Sequence, residues 1–169
     1  LFNSRLKLMQ RLKNEYNYNI IAICERDKYA LELEKEGFTV IPLDVHRGGG
    51  SLTKDLYLFL FLCKKYKEIK PSFTHHFHSK PVIFGTLASR FFSPKTKVIN
   101  TITGLGYAFT QGGMIQKITS ILYKISLPFS QHVIFQNRDD LEYFLTSRFI
   151  GENKTSLIKG SGVDLEKYQ

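Results

Sequence analysis

Apolar residues fall into two patterns along this chain: short β-rich runs, and longer stretches where they recur every three or four positions. The runs predict strands at Asn19–Cys24, Phe38–Leu43, Phe73–Phe77, Lys97–Thr101, His132–Phe135 and Thr155–Lys159. The longer stretches predict helices at about Ser4–Glu15, Lys28–Gly37, Leu52–Ile69, Pro81–Phe91, Ile115–Leu127 and Asp139–Phe149. Stop signals agree with these bounds. Gly37 closes one helix, Pro71 follows another, and Pro81 sits in a first turn, where proline's missing N–H costs no bond. Strict alternation of strand and helix is the mark of βαβ units and a parallel sheet, so the expected fold is α/β, Rossmann-like and doubly wound. Gly48-Gly49-Gly50 is the one flexible loop, and no internal repeat or low-complexity tract interrupts the pattern.

The pattern opens on a helix. A doubly wound domain places its first strand mid-sheet, with a ligand-binding loop leading out of it. That strand and loop are missing from the sequence, which begins on Leu1 rather than Met, so the natural N-terminus is expected to lie upstream.

With 169 residues the chain reads as one domain, long enough to bury a sizeable core without a disulfide. Cys24 and Cys63 sit in apolar contexts and read as buried thiols of a reducing compartment, with cytoplasm as the default. No secretory leader opens the sequence, and no apolar run reaches the ~20 residues of a membrane span. An excess of 24 Lys and Arg over 15 Asp and Glu gives a net charge of +9, which predicts an anionic partner. Nucleic acid is not expected, because no zinc finger or aromatic RNA-binding motif accompanies the bases. The bases are scattered except for Lys64, Lys65, Lys67 and Lys70, which follow the very apolar Leu56–Leu62. Such a helix is either buried or laid against lipid, and its basic end suits an anionic leaflet. Phe91-Phe92 beside Arg90 is a second candidate for such a surface.

Candidate chemistry gathers at the carboxyl ends of predicted strands, the edge where open α/β sheets bind ligands. His75-His76-Phe77-His78 is the densest ionisable cluster. Alternation puts His76 and His78 on one face and His75 on the other, and either of the first two histidines also reads as a packing residue. His78, nearest the strand end, is the candidate for contact with an acceptor or its phosphate. No third ligand has a motif spacing to this cluster, so no metal is expected. Ser79 and Lys80 open the next helix, where N–H groups and a cation suit a phosphate oxygen, although Ser79 also reads as a plain N-cap. Thr103-Gly104-Leu105-Gly106 follows a strand and lets bare backbone approach an anion or a sugar, or else makes a glycine-requiring turn. Asn137 is placed to cap a helix whose first turn carries Asp139 and Asp140. Gly160-Ser161-Gly162 fits a hinge.

Taken with Arg5–Lys13, Phe77–Pro81 leading into Phe84–Arg90, Thr101–Gly106, Phe135–Asp140 and Gly160–Asp164, the chain resembles the N-terminal domain of family-four, GT-B-fold glycosyltransferases. The likeness is strongest to those that extend lipid-linked sugars for bacterial glycans such as capsule and O-antigen. It implies an acceptor-side domain, residues 160–169 starting the hinge to an absent C-terminal, donor-binding half. By resemblance, the whole enzyme would move a sugar from a nucleotide-sugar to a lipid-linked glycan acceptor, with retained configuration and no metal or other cofactor, at the cytoplasmic membrane face. This fragment alone would be inactive. Asn137, Gly160, Ser161 and Gly162 would face the donor across the cleft. Many relatives place a histidine where Thr103 stands, so that imidazole role is not carried over. Rival readings are a GT-B-fold sugar-nucleotide epimerase, disfavoured by the lack of an acid pair at the strand ends, and a non-catalytic membrane- or anion-binding module. A dinucleotide-binding domain is less favoured, since no G-x-G-x-x-G opens a first βα unit here.

Overall fold

The computed structural model describes residues 2–43, 52–106, 109 and 112–160. It divides into two compact units, one holding the described residues up to 43 and the other those from 52 to 160.

In the first unit, helix α1 (Phe2–Tyr16) precedes β1 (Ile21–Cys24), α2 (Lys28–Lys35) and β2 (Thr39–Pro42). The strands pair in parallel, Ile21 beside Thr39 through Cys24 beside Pro42. Helix α1 stops where Asn17 takes a left-handed φ of 53°, which Asn tolerates better than most residues. Asp27 caps α2, its carboxylate accepting from the N–H groups of Tyr29 (3.0 Å) and Ala30 (2.9 Å). At the other end Gly37 turns left-handed at φ 76°, and Phe38 N–H reaches back to Leu33 C=O at 3.1 Å. That turn delivers Phe38 to a small core with Met9, Ala22 and Leu33. Lys13 braces the turn by donating to Gly37 C=O at 3.1 Å.

The second unit runs α3 (Leu52–Ile69), β3 (Phe73–Phe77), α4 (Ser79–Phe92), β4 (Lys97–Ile102), α5 (Gly113–Ser126), β5 (His132–Phe135), α6 (Arg138–Thr146) and β6 (Thr155–Leu157). Its sheet has the order β3-β4-β5-β6, all parallel. The expected α/β class with parallel strands therefore holds, the described strands falling into a two-stranded and a four-stranded sheet.

Val82, Ile83, Ile102, Tyr123, Leu127, Val133, Phe135, Phe144, Phe149 and Ile150 form the core of the second unit. Full burial of each large apolar side chain contributes about 1.5–3 kcal/mol. The rings meet edge-on, with Tyr123 4.9 Å and Phe149 5.3 Å from Phe144 between centroids.

Several element ends differ from the sequence reading by a few residues, two of them for clear local reasons. The last helix was expected to run to Phe149 but stops at Thr146. Arg148 turns left-handed at φ 55°, and Phe149 N–H bonds back to Phe144 C=O at 3.0 Å, which swings Phe149 and Ile150 into the core. Helix α4 begins at Ser79 instead of Pro81, so His78 is the cap and Ser79 the first helical residue. The N-cap reading of Ser79 is thereby corrected. The glycine loop 48–50 lies outside the described residues.

Candidate functional site

Register brings the carboxyl ends of the four-stranded sheet to within one residue of one another. Phe77 pairs with Thr101, Ile102 with Phe135, and Phe135 with Leu157, so His78, Thr103, Gln136 and Ile158 all stand at the first step beyond the strands. His78 and Thr103 meet there, His78 Nδ1 lying 3.1 Å from Thr103 Oγ1.

His78 reaches that position through an unusual backbone. Its φ of 66° and ψ of 160° fall in a region populated almost entirely by glycine, at a cost of about 1–3 kcal/mol for a residue with a Cβ. The twist breaks the strand alternation. Where His76 is buried, His78 stands exposed at the sheet edge. It also makes no side-chain cap to α4, so the helix's first N–H groups are not closed off by their own cap residue.

Gly106 lies against the start of α4. A Cβ added there would sit 3.4 Å from Ser79 Oγ, and its φ of 73° is left-handed. Gly104, at φ 150°, has open space around it. His78, Ser79, Thr103 and Gly106 are thus brought together, with Gly104 beside them. Lys80 is engaged differently. Its Nζ is 2.6 Å from Asp55 Oδ1 on α3, an ion pair that holds the cation to the neighbouring helix.

Asn137 caps α6, its Oδ1 accepting from Asp140 N–H at 2.8 Å and its Nδ2 donating to Asp140 Oδ2 at 2.7 Å. Gly160 is exposed, with a left-handed φ of 72°; Ser161 and Gly162 lie outside the described residues. Lys64 and Lys65 pair with Glu68 within α3 at 4.0 and 3.0 Å, Lys67 lies in the last turn, and Lys70 closes the helix at φ 48°. The apolar stretch before them splits by face: Leu58 and Leu62 are buried, Leu56, Tyr57 and Leu60 exposed. Both cysteines are free thiols, and burial pushes each above its ordinary pKa. Among the described residues no group of three His, Cys, Asp or Glu is arranged to hold a metal.

A buried polar network lies beneath the corner, with few signs of it in the sequence. Asn100 Nδ2 donates to Thr86 Oγ1 (2.9 Å) and Ser130 Oγ (2.7 Å), which leaves its Oδ1 to accept from His76 Nδ1–H at 2.8 Å. His76 Nε2 then accepts from the Tyr66 hydroxyl at 2.8 Å. Every member is buried and bonded, and burial holds the His76 imidazole down at about pKa 4 despite the Asn100 bond, so it is neutral near pH 7. His75 points the other way and pairs with Thr101 Oγ1 at 2.7 Å. An Asn inside the apolar run Lys97–Ile102 and a Gly inside α4 were the available signals.

A shallow depression lined by Pro128, Leu145, Arg148 and Lys154 lies at the amino ends of β5 and β6, the wrong edge of the sheet for this chemistry.

The fold is that of a domain of GT-B glycosyltransferases. Residues 4–137 match the family described as Glycosyl transferase 4-like, and the chain belongs to that family. The crystal structure of MurG from Acinetobacter baumannii is similar at a TM-score of 0.58 and 11% identity, over 98% of this chain and 43% of that one. A glycosyltransferase from Rickettsia africae is similar at 0.57 and 14% identity, over 94% of this chain and 40% of that one. At these identities the likeness is one of fold, and the chain spans well under half of either solved enzyme. No match was found among curated proteins.

Proposed function

We propose that this is the acceptor-side domain of a transferase that moves a sugar from a nucleotide-sugar to a lipid-linked glycan acceptor, with retained configuration and without a metal. The observation that carries the reading is the corner at the ends of β3 and β4. There a histidine is held in a glycine-like backbone against Thr103, over the start of α4. Strain of this kind persists where the surrounding structure enforces it, and such positions cluster at ligand sites.

In this reading His78 and Thr103 hold a hydroxyl or phosphate oxygen of the acceptor. The first N–H groups of α4 add the positive end of the helix dipole, and Gly104 and Gly106 let the ligand approach the backbone. Lys80, tied to Asp55, contributes field more than direct contact. Fixed dipoles of this sort also stabilise charge developing near a departing diphosphate, the preorganised electrostatics that usually contributes most to such reactions. Asn137 and the Gly160 region face the donor half, and the enzyme works at the cytoplasmic membrane face, where the acceptor is anchored.

The test uses the full-length protein with membranes and follows nucleoside diphosphate release across a panel of nucleotide-sugars. Acceptor-dependent release that collapses in His78→Ala supports the reading. No release with any donor, alongside intact membrane binding, favours a binding module instead.

A further inference from the structure

Helix α5 carries polar residues on its inward side. Gln116, Thr119, Ser120, Tyr123 and Ser126 are buried or half-buried there, whereas a stripe of Met114, Ile118, Ile121 and Ile125 is exposed on the outward side. An ordinary surface helix shows the reverse arrangement. Tyr123 is the largest of the inward group. Its side chain is fully buried among the rings of Phe109, Phe144 and Phe149, yet its Oη has no hydrogen-bond partner among the described residues. A buried hydroxyl left unpaired is costly, and Phe would fill the same space without that cost. A hydroxyl in such a place calls for a role.

Its surroundings point to one. Long side chains on a helix lean back toward its N-terminus, so the Tyr123 ring reaches toward the carboxyl edge of the sheet, where α5 begins. Ser79 and Asp140 are the side chains that act on its phenol, and the Asp140 carboxylate is already held by Asn137 Nδ2 at 2.7 Å. Ser79 is half-buried in the first turn of α4, on the inward stripe that continues through the buried Val82, Ile83 and Thr86. Gly106 closes on the same oxygen from the other side, where an added Cβ would lie 3.4 Å from Ser79 Oγ. Ser79 Oγ therefore lies between a buried phenol and the corner that carries His78 and Thr103.

We infer that Tyr123 is a positioning residue of the acceptor site, acting through Ser79. A hydroxyl has one hydrogen to donate and two lone pairs to accept with. When the Tyr123 O–H donates to Ser79 Oγ, the Ser79 hydrogen turns away from the core. It then meets a hydroxyl or phosphate oxygen of the acceptor at the start of α4, where the helix N–H groups point the same way. The phenol makes this bond as the acceptor seats, so the cost of its burial is offset only in the complex. Tyr123 itself touches no substrate. The inference rests on the acceptor reading of the corner, and its test separates the two.

The assay takes the full-length protein with the membranes that supply its acceptor, at saturating nucleotide-sugar, and reads the membrane concentration that gives half-maximal transfer. Tyr123→Phe and Ser79→Ala should each raise it by about three- to tenfold, the loss of one hydrogen bond, with the donor KM unchanged. Ser79→Ala/Tyr123→Phe should raise it no further than Ser79→Ala does, because the two hydroxyls act as one chain. Tyr123→Phe should match or exceed the wild-type melting temperature, which separates positioning from packing. Wild-type half-saturation in Tyr123→Phe, single effects that multiply in the double variant, or a melting temperature that falls with the activity would overturn the inference. In each of these cases a loss in His78→Ala leaves the acceptor site standing. If His78→Ala also matches wild type, the acceptor reading falls and this inference with it.

Discussion

His76 and Asn100 stand opposite one another in the register of β3 and β4 and are bonded side chain to side chain, Nδ1 to Oδ1 at 2.8 Å. Through this pair the two strands whose ends form the candidate site are locked to α3 by Tyr66, to α4 by Thr86 and to the turn before β5 by Ser130. A satisfied buried network of this kind rigidifies what lies above it, and breaking one member leaves several buried groups unpaired.

Protonation of His76 is one way to break it. The folded-state pKa is about 4, below the ordinary value near 6.5, because burial disfavours the charged ring. The stabilisation is therefore complete above pH 6.5 and is lost as pH falls toward 4, by up to roughly 3 kcal/mol. Urea unfolding at pH 7.0 and 4.5 should show a larger drop for wild type than for His76→Gln, which has no proton to gain in that window. Parallel losses in the two proteins would place the acid sensitivity elsewhere.

Gly85→Ala should destabilise although it lies inside a helix, where Ala normally gains about 1 kcal/mol over Gly. The added Cβ would sit 2.5 Å from His76 Nε2 and 2.6 Å from its Cδ2, and the ring, bonded at both nitrogens, has nowhere to move. Overpacking against a fixed group costs about 1–3 kcal/mol. An unchanged or raised melting temperature would mean that the ring is not held as described.

Tyr123 makes the opposite case. Burial pushes its phenol up to about 12; a bond to Ser79 would offset this in part, while Asp140 adds to it. Among the described residues, however, Tyr123 Oη has no hydrogen-bond partner. Tyr123→Phe should then leave stability unchanged or raise it slightly, because it removes a buried hydroxyl without a partner. A loss of about 1 kcal/mol in a denaturant titration would instead mean that Ser79 and Tyr123 are bonded.

Much of the fold was legible because its signals are local. Asn137 announces a helix start, Gly37 and Pro71 stops, and β-branched runs the strands. His78, Ser79, Thr103 and Gly106 all follow predicted strands, and the near-level strand ends place them along one edge. Three things were not legible. His78 takes a glycine-like backbone, a conformation no propensity assigns to histidine. Lys80's pairing with Asp55 and the Tyr66–His76–Asn100 chain join residues 10 to 25 positions apart, where only tertiary packing selects partners. The outward stripe of α5 has a helical period whichever way it faces, so periodicity could find the helix but not its orientation.

His78 itself gives the sharpest test, because stability and function should part there. Glycine suits φ 66° and ψ 160°, so His78→Gly should relieve strain and raise stability by about 1 kcal/mol, while removing the imidazole. The deciding measurement is the acceptor dependence of the transfer rate at saturating nucleotide-sugar, for full-length wild type and His78→Gly. A rise in acceptor KM of about tenfold or more, with the donor KM unchanged and the protein at least as stable, is the predicted result. An unchanged acceptor KM and kcat in the variant would contradict a site built on His78.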